Sequence, residues 1–172
     1  MAEQQLFFIN LQPAGIQGES QKKGHELWME AQSWNFTMTQ SADHSLGQSV
    51  GAGTAAFGSF SFDRVFDKAS PRLFAHCSQG THISQVQFDC ERQGSQQADA
   101  RGQNPSHVYF TLIFKDVVIS GRSVAHYEED RGRESISFAF REVEMTHKQL
   151  MADGTLKPGN TKKYDAKMNF AS

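Results

Sequence analysis

The sequence predicts a mainly β fold, on three observations. Phenylalanine and glycine are both frequent, at 14 residues each; aromatic side chains favour pleated surfaces and glycine favours the turns between strands. Several segments alternate apolar and small polar side chains, the period of a half-buried strand. One segment alone carries both a start and a stop signal for a helix.

Taken in order, "LFFINL" near the N-terminus and "HELWME", His25 to Glu30, read as strands. "SWNFTM" puts Trp34, Phe36 and Met38 on one face and Asn35 and Thr37 on the other. The run from Thr39 to Gly58, rich in glycine, serine and alanine, has little to bury and reads as a long loop. "GSFSFDR" then sets Phe60 and Phe62 against Ser59 and Ser61. The helix covers about residues 70–79: Ser70 can cap it with its hydroxyl, Pro71 suits the first helical position, and Gly80 can take the left-handed conformation that ends it. Leu73, Phe74 and Cys77 form its apolar face.

After the helix comes a strand in which Val86, Phe88 and Cys90 share a face, then a polar loop from Glu91 to Ser106. "HVYFTLIFKDVVISG" is so continuously apolar that both its faces read as covered, with a break near Lys115 and Asp116. "SISFAF" sets Ile136, Phe138 and Phe140 against Ser135, Ser137 and Ala139. Beyond Phe140 the apolar positions shift to Val143 and Met145, as a bulge near Arg141 or Glu142, or a strand end, would produce. The tail from Met151 has no sustained apolar period, and no internal repeat is present.

A chain of 172 residues fits one domain and can bury roughly 70% of the surface it exposes unfolded. Its 17 basic residues are scattered and its net charge is −2, so nucleic acid is not an expected partner. The first residues carry no basic region and only a short apolar run, so neither a signal peptide nor membrane insertion is expected. Two cysteines do not make a disulfide framework, and free thiols are expected.

The catalytic and metal motifs fail one by one. His76, Cys77, His82 and Cys90 are good zinc ligand types, but they lack ligand-pair spacing, and core alternation already explains Cys90. "GHELWME" opens like a zincin motif at His25 and Glu26, yet Met29 stands where the second histidine belongs. The glycines before Gly58 are followed by no Lys-Ser or Lys-Thr, and no G-x-S-x-G elbow presents a serine nucleophile. The expectation is no enzyme, no metal and no cofactor. Serine-rich strand faces instead present bland surfaces to water or to another copy of the chain.

Several stretches together carry a resemblance. "GIQGESQKKGHELWMEAQSWNF" is similar to the early strands of the hemolysin-coregulated proteins, the tube subunits of bacterial type VI secretion, through Gly18, Glu19, Ser20, His25, Trp28, Glu30 and Ser33. "FSFDRVFDKASPRLFAHCSQGTHISQVQFDC" resembles the family's strand, Lys-Ala-Ser-Pro-x-Leu helix, closing glycine and next strand, and "YFTLIFKDVVISG" and "ESISFAFREVEMTH" resemble its closing strands. The resemblance covers roughly residues 5 to 150, with residues 1–150 expected as the domain and 151–172 as a tail outside it. It departs from the family at Glu144 and Met145, where a tryptophan is common, and in the long loop from Glu91 to Ser106.

The resemblance implies a β-barrel of two packed antiparallel sheets with one short flanking α-helix. It implies six copies in a ring, rings stacked into a tube, and a tube that sits in a contractile sheath, carries effector proteins in its lumen and is capped by a trimeric valine-glycine repeat spike protein. Assembly would be cytoplasmic and export would use the secretion system itself. By the same resemblance Ser33 is the candidate for the lumen wall and effector contact, and the segment holding Leu46, Val50, Gly51 and Gly53 is the candidate inter-ring loop. A barrel holding a small apolar ligand is the alternative, and it requires an internal cavity.

Overall fold

Antiparallel strands make up most of the computed structural model, which describes residues 5–11, 14–43, 51–92, 107–126, 131–151, 156–166 and 170–171. The elements are β1 (Gln5–Asn10), β2 (Met29–Ala31), β3 (Ser33–Asp43), β4 (Gly51–Val65), α1 (Ser70–Gln79), β5 (His82–Arg92), β6 (Val108–Ala125), β7 (Arg133–Leu150), β8 (Leu156–Asp165) and β9 (Phe170–Ala171). They form one sheet in the order β2-β1-β5-β6-β7-β4-β3, with β8 added to β7 and β9 to β8.

Gln32 alone separates the two ends of this order, and its N–H donates to the Asp63 carbonyl at 2.8 Å. The sheet therefore curls into a half-barrel. Trp34 on β3 lies 5.1 Å from the Phe88 ring on β5 and 5.8 Å from Phe110 on β6. The two packed sheets implied by the family resemblance are thus the two ends of one continuous sheet.

Every second row of that sheet faces the core. Trp34, Phe62 and Ile136 stand in one register row, and Phe36, Phe60, Phe138 and Ile119 in the next. Phe60 is fully buried, with ring centroids 5.1, 4.9 and 5.1 Å from Phe88, Phe114 and Phe138. Such ring pairs contribute beyond the area they bury, about 0.5–1.5 kcal/mol each. They also fill the volume that a small-ligand barrel would keep open.

Several sequence expectations need correction. His25 to Trp28 is turn rather than strand; only Met29–Ala31 pairs, with β1. The expected loop from Thr39 to Gly58 is largely a hairpin: Met38↔Phe57 through Asp43↔Gly51 continue the β3–β4 ladder. Ordered backbone pairing replaces the missing apolar pattern there. The phase change in β7 is real, since Val143 is buried, but it involves no register shift against β6. Both strands turn over together, where Asp116 adopts φ 52° opposite Arg141. Residues 156–165, read as tail, form β8 along β7.

The helix spans the expected residues, with Pro71 in its first turn and Gly80 at φ 60° as its left-handed stop. Ser70 does not cap it. The N-cap position is Ala69, without a side-chain bond, and Ser70 is the first helical residue. Its hydroxyl donates instead to Glu134 Oε1 at 2.7 Å and accepts the Asp67 N–H at 3.2 Å.

Candidate functional site

The outer face opposite the aromatic core carries Ser33, Ser61, Ser123, Ser135 and Ser137, and the register gathers them. Ser33 pairs with Asp63, Asp63 with Ser135 and Ser135 with Ser123, giving one row across β3, β4, β7 and β6. The next outward row is Asn35, Ser61, Ser137 and Gly121. Two rows of small polar side chains thus cover four strands. Ser33 Oγ donates to Asp63 Oδ2 at 2.6 Å, and both side chains are exposed. A shallow groove of about 490 Å³ runs along this face, lined by Ser33, Asp63, Ser123, Arg133 and Ser135 among others.

Past Asp116 and Arg141 the outer face changes character. Lys115 Nζ lies 3.5 Å from Glu142 Oε2, and Lys163 Nζ lies 2.9 Å from Glu144 Oε2. Hydrogen bonding and charge from Arg141 hold the Glu142 carboxyl below its ordinary range. Long charged pairs therefore border the small polar lattice, whose own charges are at Asp63 and Arg133.

Two buried polar clusters fix the pieces around this face. Arg64 and Glu134, each 1% exposed, sit on the core side at the rim of the sheet. Glu134 accepts from Arg122 Nε at 2.7 Å and from Ser70, while Arg64 pairs with Asp67. This network clamps the start of α1 to β4, β6 and β7. On the far side, buried His25 faces Asp89 Oδ2 at 3.1 Å and Glu91 Oε2 at 3.4 Å, and stacks on Phe8 at 4.2 Å. Lys22 reaches Glu91 Oε1 at 2.9 Å and Thr111 donates to Asp89 at 2.8 Å. His25, which looked like the opening of a zincin motif, thus pins the turn before β2 onto β5, while exposed Glu26 accepts the Gly24 N–H within that turn.

The cysteines fill space. Cys90 is buried in its apolar row, Cys77 is half-buried, and both are free thiols. Among the described residues, no group of three or more histidine, cysteine, aspartate and glutamate side chains is arranged to hold a metal ion.

Of the inter-ring candidates, Gly51 and Gly53 lie in β4 rather than in a loop. Leu46 and Val50 lie outside the described residues. Sequence reasoning missed Asp63, whose only local signal is its place in the alternation of "GSFSFDR". It also missed Tyr164, on a segment with no periodic pattern at all.

Among the described residues, a curled antiparallel sheet with one clamped helix, an aromatic core and a bland outer lattice defines a mainly β protein of half-barrel form. The chain belongs to the Hcp family: the family model described as "Type VI secretion system effector, Hcp" matches residues 8–147. "Protein hcp1" of Pseudomonas aeruginosa is 30% identical over 150 residues, covering 87% of each chain. The "Major exported protein" of the same organism is 26% identical over 144 residues, covering 80% of this chain and 79% of the relative. A solved structure described as a type six secretion system protein shares the fold at a TM-score of 0.83, with 19% identity, covering 97% of this chain and 99% of that one. Among the described residues, no helix is long and apolar enough to cross a membrane.

Proposed function

We propose that this chain is a tube subunit of a type VI secretion system, six copies closing a ring and rings stacking into a tube. The observation that carries this reading is the two-row lattice around Ser33, backed by a solid aromatic core. A lumen wall has to let cargo bind and leave. Small hydroxyl, amide and carboxylate groups offer hydrogen bonds without the buried aromatic anchors that dominate tight interfaces. In this reading the lattice lines the channel and Ser33 contacts exported effectors.

A closed ring needs a heterologous contact whose rotation returns to its start, and stacking needs a second contact that does not close. The outer part of the β3–β4 hairpin supplies the second. There β4 has left β7 and pairs with β3 alone, with Gly51 and Gly53 in its strand, and Leu46 and Val50 follow β3 in the sequence. The tube assembles in the cytoplasm inside a contractile sheath, takes a trimeric valine-glycine repeat spike as its cap, and is exported with its cargo. This role involves no catalytic step and no cofactor.

The test is the solution mass by light scattering after size exclusion, over a dilution series because assembly follows mass action. The expected particle is six times 19.2 kDa. A monomer at every concentration overturns the tube and leaves the fold standing.

A further inference from the structure

The sheet forks beside β7. β4 pairs with β7 from Val65↔Arg133 only as far as Phe60↔Phe138; beyond that it pairs with β3 alone, as a two-stranded arm. The edge of β7 that β4 leaves is taken by β8, from Glu142↔Asp165 to Leu150↔Leu156. At the branch the β3–β4 ladder shifts register between Phe36 and Met38. Gly58 also sits so close to Thr37 that an added Cβ would strike the Thr37 hydroxyl. A bulge bends and twists a ladder, and an isolated two-stranded hairpin is marginal in water. The arm's direction therefore depends on a contact outside its own ladder.

Tyr164 stands in the fork. It faces Val143 in the β7–β8 register, on the core side of the sheet. Its ring centroid is 4.4 Å from Phe57 on the arm, and its hydroxyl donates to the Ala55 carbonyl at 3.4 Å. Phe57 in turn packs on Phe36 at 5.9 Å and Phe140 at 6.1 Å, so the ring of Tyr164 extends the core out to the root of the arm. We propose that Tyr164 is a positioning residue, a latch by which strand β8 fixes the direction of the β3–β4 arm and so the approach of one ring to the next. This rests on the reading of the arm as the inter-ring element.

Hydrogen exchange on the full chain tests the latch without reference to assembly. Tyr164→Ala is expected to speed exchange about ten-fold or more at residues 38–43 and 51–57, while amides at 83–90 and 110–119 stay within about two-fold, because local opening and global unfolding are separable. Tyr164→Phe keeps the ring and restores arm protection to near wild type. Unchanged arm exchange in Tyr164→Ala overturns the proposal, and so does faster exchange throughout the sheet. Sedimentation then reads the consequence: Tyr164→Ala rings persist but lose their stacks. A wild-type chain that forms no stacks, with the arm still loosened by Tyr164→Ala, sinks the stacking role of the arm and leaves the latch.

Discussion

Burial on β5 pushes the Cys90 thiol up to about 12, because desolvation disfavours the thiolate; a hydrogen bond with Tyr109 acts the other way. Since the folded value lies above the ordinary one, this contribution to stability is complete below a pH of about 8.5. It is lost as the pH climbs towards about 12. Native thiol titration near pH 8 is expected to modify Cys77 alone, and both cysteines only in denaturant. Rapid modification of Cys90 in the folded chain contradicts this. Cys90 was legible because alternation with Val86 and Phe88 is a property of neighbours in sequence. The Ser33–Asp63 hydrogen bond was not, because its partners are 30 residues apart and meet only through strand register.

The helix divides in the same way at the scale of an element. Pro71 and Gly80 act through their own backbone geometry, so start and stop were visible in sequence. The role of Ser70 was not, because its hydroxyl partner Glu134 is 64 residues away and cross-linked to Arg122. Ser70→Ala is therefore expected to cost about 1.5–3 kcal/mol, the range for a hydrogen bond to a charged group, rather than the ~1 kcal/mol of a lost cap. Chemical denaturation measures it, and a loss below about 0.5 kcal/mol contradicts the clamp. The arm and β8 escaped notice for a related reason. Neither buries a continuous apolar stripe, and hairpin pairing of glycine- and alanine-rich backbone leaves little periodic trace.

For the whole molecule, the bland lattice predicts what a larger side chain would do. Ser33→Gln keeps a polar group on an exposed strand position, so ring formation is expected to persist while effectors co-purify less well. Unchanged effector recovery with intact rings removes Ser33 from the lumen wall. By itself the sequence determined the β class, the single helix with its ends, the aromatic core rows and the family resemblance, since all of these follow from local period, turn chemistry and motif order. Only the tertiary structure decided that one sheet curls into a half-barrel whose two ends meet at Gln32, and that β6 and β7 turn over together at Asp116 and Arg141. It also decided which carboxylates clamp α1, and that Tyr164 meets Phe57 and Ala55 of the arm. Each of these is a contact between residues far apart in the chain, set by register and packing that no single segment encodes.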